Sequence, residues 1–330
     1  MPLRGIRLGV SVQSRAANMS TRPLSISVVI PVYNSEPLLR PLVARLGPVL
    51  AALAPRHELI LVDDCSRDAS WKVVEELTHE HAWIRGIHLM RNFGQHNALL
   101  CGIRAARHEL CVTMDDDLQH PPEELPKLLA RLDRDCDVVY GPPEKQQHGL
   151  LRDLASQTTK LVLQTSMGAQ NARSVSALRV FRSCLREAFA SYRSQHVSID
   201  VLLSWATTRF AFVRVRHDER RLGKSNYTYR QLAGHALNMV TGFSTLPLRL
   251  ASWIGFLFTL FGMGVLVYVL RNYLVHGSAV AGFPFLASII AMFSGAQLFA
   301  LGIMGEYLSR MHFRMMDRPS YAVRSHIGGA

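Results

Sequence analysis

Residues 26–34 read ISVVIPVYN and residues 57–68 read HELILVDDCSRD. In each, an aliphatic run too short for a helix breaks off into a polar turn, the pattern of a buried strand. The pattern recurs outward along the chain, so strands are expected at 26–31, 57–62, 84–90, 110–114 and 137–140. Between them, segments near 36–53, 69–80, 97–107 and 123–134 have the apolar spacing of helices. Strand–helix alternation predicts an open α/β sheet, Rossmann-like and mostly parallel. Ligands bind such sheets beyond the carboxyl ends of the strands.

The polar residues gather at those ends. Pro31, Val32, Tyr33 and Asn34 close the first strand, and Asp63 and Asp64 follow the second. Asn92, Gln95 and His96 follow the third, and Asp115, Asp116, Asp117 and Gln119 the fourth. Helix capping accounts for one polar residue per loop, such as Ser66, Asp68 or Asn97. It does not account for three adjacent carboxylates, which repel one another unless a cation holds them. Asp115 and Asp117 can turn oxygens toward one Mg²⁺ or Mn²⁺, with a diphosphate supplying the remaining ligands. A carboxylate at Asp63 or Asp64 can accept hydrogen bonds from a uracil or guanine edge. There is no GxGxxG and no P-loop, and Asp218 stands where the first glycine before Gly223-Lys224-Ser225 would belong. A diphosphate must then be held by metal and by basic side chains. Those lie in HDERRLGKSNY at 217–227, where Arg220 and Lys224 suit charge-assisted bonds to phosphate.

The second part of the chain suits a different solvent. Residues 250–270 and 283–305 contain no charged residue. At helical rise each run reaches roughly 30 Å, the thickness of a bilayer hydrocarbon core. Arginines crowd before the first run and after the second, while the connection offers only Arg271 and His276. The positive-inside rule then predicts a two-span hairpin with both ends cytoplasmic. The mixed polar and apolar stretch before it reads as an amphipathic helix on the membrane surface. The net charge of +12 is thus mostly juxtamembrane, and nucleic acid is not an expected partner. Cys65, Cys101, Cys111, Cys136 and Cys184 form no CxxC pair and read as core thiols of a reducing compartment. The expected organisation is a disordered basic leader at 1–24 (or an upstream start before Met19), a catalytic domain at 25–227, a surface helix at 228–246, a transmembrane hairpin at 247–309 and a cytoplasmic tail at 310–330.

VVIPVYN at 28–34, LVDDCSRD at 61–68, RNFGQHNALLCG at 91–102, DDDLQHPPEELP at 115–126, ERRLGKSNYT at 219–228 and LGIMGEYLSR at 301–310 occur in this order. Together they resemble the family 2 glycosyltransferases of the polyprenyl-phosphate branch, over roughly residues 26–322. The resemblance implies a GT-A fold and inverting transfer of a sugar from a nucleoside diphosphate, UDP by likeness, to undecaprenyl phosphate. It places the chain in the inner, cytoplasmic membrane as a multi-pass protein serving cell-envelope glycan or lipid A modification, and it leaves the oligomeric state open, a homo-oligomer such as a tetramer being compatible with it. It also implies that Pro31, Tyr33 and Asp63 or Asp64 hold the nucleoside, and that Asp115, Asp117 and Gln119 bind metal and diphosphate. Phosphates of donor or acceptor would fall to His217, Arg220, Arg221, Lys224 and Ser225, with Asp117 and Arg220 central to catalysis; the charge of Arg173 suits the acceptor phosphate independently of the resemblance.

The chain departs from that pattern at Ser35, where glutamate is usual, at Asn226, where lysine is usual, and at Arg173, where an aspartate precedes the Leu178–Arg182 segment. A phosphate monoester already carries about −1.5 to −2 charge near pH 7 and attacks without a base. Arginine at 173 is therefore compatible with a lipid-phosphate acceptor. A processive polysaccharide synthase would carry QxxRW and more spans, and neither is present. A degenerate, non-catalytic nucleotide-sugar-binding protein is the other alternative, resting on Ser35 and Arg173.

Overall fold

The computed structural model describes residues 24–133, 135–144, 174–194, 197–218, 246–276 and 283–329. The chain divides into two compact units. The first comprises Met1–Gly149, Leu163–Asn226 and Pro319–Ala330, and the second Leu150–Val162 and Tyr227–Arg318. The expected leader and most of the expected surface helix lie outside the described residues.

In the first unit, β1 (Ser25–Val32) is buried along its whole length. It has apolar side chains on both faces and a parallel neighbour on each side, β2 (Arg56–Asp63) and β4 (Leu110–Thr113). β3 (Ile84–Leu89) continues the sheet in parallel beyond β2. Beyond β4 lie β6 (Arg179–Arg182), antiparallel to it, then β5 (Val138–Tyr140) and β7 (Phe210–Phe212). With β8 (Val323–Ile327) the order is β7-β5-β6-β4-β1-β2-β3-β8. The mostly parallel α/β sheet is thus as expected, with β6 and β8 as antiparallel additions.

The helices α1 (Glu36–Leu53), α2 (Ser70–Glu80), α3 (Gln95–Ala105), α4 (Leu125–Arg131) and α5 (Ile199–Ala206) belong to the same unit. α1 buries Leu39, Leu42, Val43, Leu46 and Leu50, one stripe of a 3.6-residue repeat. α3 starts two residues earlier than its apolar pattern suggests, because Gly94 at φ 94° turns the chain into it. The same helix lies so close to the sheet that a Cβ at Gly102 would stand 2.3 Å from Val29 Cγ1. The stretch expected to be helical from 123 to 134 divides into a 3-10 turn at Pro122–Glu124 and α4. At the amino ends of the strands, buried Glu58 accepts from Ser27 Oγ at 2.6 Å, Arg85 Nη1 at 2.8 Å and the Arg107 N–H at 2.7 Å. These bonds hold its carboxyl below the usual range, against the opposing effect of burial.

Residues 310–330, expected as a tail, are divided differently. The last helix runs to Met315, and β8 then pairs antiparallel with β3, Gly86 opposite Ile327. The Met90 N–H continues the contact to Ala322 O at 2.9 Å. β8 thereby covers the edge of β3, whose backbone groups would otherwise be open to pairing with other chains.

The second unit contains α6 (Leu246–His276) and α7 (Phe283–Met315). They meet where Phe293 lies edge-on to Phe258, ring centroids 5.6 Å apart, and 3.0 Å from where a Cβ on Gly262 would be. Large apolar side chains point outward from both, including Leu257, Leu266, Leu298 and Leu301, each at least 60% exposed. Among the described residues one helix, Leu248–Asn272, meets the length and hydropathy expected of a membrane span.

Candidate active site

The strand order turns back between β1 and β4, which places a crevice beyond their carboxyl ends. Tyr33 and Asn34 leave β1 on one side of it, and Asp115–Gln119 leave β4 on the other.

The β1 and β2 turns are locked together. Asn34, at φ 53°, donates its N–H to Ser66 Oγ at 3.0 Å and accepts from the Arg67 N–H at Oδ1, 2.8 Å. Ser35 donates its N–H to Ser70 Oγ at 2.9 Å. The Asn34 side chain is therefore engaged in loop structure, whereas the Tyr33 ring is exposed at the edge.

Asp63 and Asp64 alternate across the sheet. Asp63 is fully enclosed; its Oδ2 accepts the Ser66 N–H at 3.2 Å and lies 2.8 Å from His88 Nδ1, while its Oδ1 has no hydrogen-bond partner among the described residues. Asp64 accepts the N–H groups of Phe93 and Gly94, one on each oxygen, both at 2.7 Å. Burial, with Asp63 adding to it, pushes the Asp64 carboxyl up to about 6 against the pull of those two bonds.

The third loop reaches the fourth through Gln95, whose Nε2 donates to Asp115 Oδ1 at 2.6 Å. Asn92 is exposed, and half-buried His96 accepts the Ile199 N–H at 3.4 Å. In the acidic turn, Leu118 adopts φ 59° and Asp117 Oδ1 accepts the Gln119 N–H at 3.1 Å. Asp116 turns instead toward β1: burial raises its carboxyl to about 6, with the Ser35 hydroxyl bond opposing and Asp117 adding to the rise. Ser35 thus contacts the acidic cluster, a role its sequence context did not suggest.

Asp115 and Asp117 stand close in chain and half-exposed, but among the described residues no three His, Cys, Asp or Glu side chains converge to enclose an ion. That donor set fits Mg²⁺ or Mn²⁺ shared with a diphosphate, which takes one or two carboxylates and completes its shell elsewhere. It does not fit a closed structural metal cage.

Of the basic residues assigned to phosphates, His217 is described; Arg173, Arg220, Arg221, Lys224 and Ser225 lie outside the described residues. Asp218, next to His217, donates its N–H to Gln119 O at 2.9 Å, so the start of the basic segment adjoins the acidic turn. His120 sits between them with its pKa lowered to about 4, by burial first and then by His217. Behind the turn is a buried group the sequence did not point to. Arg179 pairs with Asp200, whose Oδ1 also accepts from Tyr140 Oη at 3.0 Å. The only hint was the basic Leu178–Arg182 segment, since Asp200 joins it through tertiary contact.

Fold and site together define a GT-A-like α/β enzyme, with its ligand loops at the carboxyl edge of a mostly parallel sheet. The chain belongs to glycosyltransferase family 2, described as Glycosyl transferase family 2, which it matches over residues 27–192. It is 33% identical to the undecaprenyl-phosphate 4-deoxy-4-formamido-L-arabinose transferase of Klebsiella pneumoniae subsp. pneumoniae, over 91% of this chain and 92% of that protein. It is 35% identical to the protein of the same name from Proteus mirabilis, over 92% and 94% respectively. A solved glucosyl-3-phosphoglycerate synthase from Mycobacterium tuberculosis, with Mn²⁺, UDP-glucose and phosphoglyceric acid, is similar at 17% identity and a TM-score of 0.49, over 71% of this chain and 83% of that one.

Proposed function

We propose that this glycosyltransferase moves one monosaccharide from a UDP-sugar to a polyprenyl phosphate at the cytoplasmic face of a membrane, inverting the anomeric carbon. The observation that carries the reading is the acidic turn at the crevice, joined to the third loop by the Gln95–Asp115 bond. The acceptor class is supported by relatives named for undecaprenyl phosphate at 33–35% identity over nearly the whole chain.

Tyr33 and the turn braced by Asp63 and Asp64 form the nucleoside end. Asp115 and Asp117, with Gln119 beside them, would hold Mg²⁺ or Mn²⁺, which when bound neutralises charge on the diphosphate. Arg220, Arg221, Lys224, Ser225 and Arg173 supply hydrogen bonds and positive charge to the donor and acceptor phosphates, while the His217 ring faces His120 instead. The acceptor oxygen is already anionic near pH 7, so it forms its bond to the anomeric carbon without a protein base. The bond to the diphosphate oxygen breaks in the same displacement, and basic side chains stabilise the charge that departs.

The outward-facing apolar side chains of α6 and α7 support two membrane spans. Both ends are read as cytoplasmic from the flanking arginines. A donor screen tests the reading: purified protein, Mn²⁺, undecaprenyl phosphate and separate UDP- and GDP-sugars should yield a lipid-extractable sugar with a UDP donor. Release of nucleotide without sugar in the lipid phase would count against it.

A further inference from the structure

Besides Gln95 and Ser35, residues 216–218 hold the acidic turn, at its far end. Asp218 donates its N–H to Gln119 O at 2.9 Å, and the Arg216 N–H lies 3.5 Å from Glu124 Oε2. Between these contacts the His217 ring meets the His120 ring edge to face, centroids 4.9 Å apart and planes at 72°. His120 is 7% exposed, and its Nε2 lies 3.4 Å from Ser176 Oγ. Nδ1 of each histidine is enclosed with no hydrogen-bond partner among the described residues. Packing and one backbone bond, rather than side-chain hydrogen bonds, therefore fasten this pair.

The turn needs fastening. Leu118, a branched residue, sits at φ 59°, a left-handed conformation costing on the order of 1–2 kcal/mol that persists only where the surroundings enforce it. Relaxation of Leu118 would rotate the chain between Asp117 and Gln119 and redirect the Asp117 carboxylate. The two residues that follow Leu118 are both tied to this stretch, Gln119 to Asp218 and His120 to His217.

We propose that His120 and His217 are positioning residues, whose edge-to-face contact holds the 115–119 turn so that Asp115 and Asp117 face a divalent cation on the donor diphosphate. This deepens the proposed function and rests on its cation reading. Neither ring need touch substrate in this role. Because the contact is one of ring packing, phenylalanine at position 217 should preserve it and alanine should not.

The test measures UDP affinity of the full-length protein in detergent by calorimetry, with and without Mn²⁺. The unsubstituted protein should bind UDP more tightly when Mn²⁺ is present. His217→Ala should lose about tenfold of that metal-dependent gain, the usual size of an effect on residues that orient ligands, while its metal-free UDP affinity stays the same. His217→Phe should restore the gain. His217→Leu, which fills the volume without a ring, replaces the alanine variant if the latter does not fold. An undiminished Mn²⁺ gain in the alanine or leucine variant would overturn the proposal. So would an equal loss of UDP affinity with and without metal, the mark of a merely structural role. No Mn²⁺ gain in the unsubstituted protein would instead overturn the cation reading beneath it.

Discussion

Asp64, just beyond the end of β2, accepts the N–H of Gly94, just before α3, at 2.7 Å, and with its other oxygen accepts the N–H of Phe93. One carboxylate thus fixes the path of the third loop, from which Gln95 reaches the acidic turn. An amide in its place sets an NH₂ group against one of the two N–H donors. Asp64→Asn should cost about 1–3 kcal/mol, the penalty of a buried donor left without an acceptor. It should also weaken UDP binding. Thermal unfolding in detergent and calorimetry would check both; an unchanged midpoint contradicts the assignment.

Asp115→Ala and Asp117→Ala should each abolish transfer while leaving the protein folded and membrane-bound, and EDTA should do the same to the unsubstituted enzyme. The expectation rests on carboxylates that repel one another unless a cation is shared. Near-normal turnover in EDTA or in the Asp117 variant would remove the metal assignment.

His120 gives a pH dependence of defined sign. Its folded pKa of about 4 lies below the ordinary histidine value, because burial and His217 disfavour the charged ring. Between about 4 and 6.5 the unfolded chain therefore binds more protons than the folded one, and stability rises with pH. The contribution is fully present above about 6.5 and is lost as pH falls to about 4, on the order of 3 kcal/mol. His120→Phe should flatten this acid limb of the unfolding midpoint. A limb of unchanged steepness would show that other groups set it.

Gly86 on β3 faces Ile327 of β8, and a Cβ there would stand 2.7 Å from Ile327 Cγ1 and from Val74 Cγ1. Gly86→Val should therefore destabilise the protein by about 1–3 kcal/mol through overpacking. Ile327→Ala should recover part of that loss. If the two substitutions were simply additive, the terminal strand would not be seated against Gly86.

Much of this site was legible in the sequence. Strands β1 to β4 are aliphatic runs that stop at Tyr33, Asp64, Arg91 and Asp115, so local pattern alone locates both strand and loop. β6, β7 and β8 escaped because charged residues bound or interrupt their short runs, RVFR in β6, VRSHI in β8, and FAF between Arg209 and Arg214 in β7. β8, VRSHI, also places three polar residues in a row after a long apolar helix, and its pairing with β3 is fixed only in three dimensions. The Arg179–Asp200 pair and the His120–His217 contact join residues 21 and 97 positions apart, as the numbering shows, and lone charged or aromatic side chains carry no local sign of such partners.

The proposed topology rests on α6, α7 and the arginines that flank them in the sequence. With Cys184 replaced by serine, a cysteine at position 278 should be labelled by an impermeant thiol reagent from the outer face of intact cells. Labelling only from the cytoplasmic side would reverse the orientation proposed.

That the acceptor is a lipid phosphate can be read from the mass spectrum of the lipid fraction. After incubation of the purified enzyme with its UDP-sugar, Mn²⁺ and undecaprenyl phosphate, one new lipid should appear. Its mass should exceed that of undecaprenyl phosphate by a single sugar residue, its anomeric configuration should be opposite to the donor's, and it should be absent with Asp117→Ala. Sugar found on a hydroxyl acceptor, in a chain of several residues, or only as free hydrolysed sugar would contradict it.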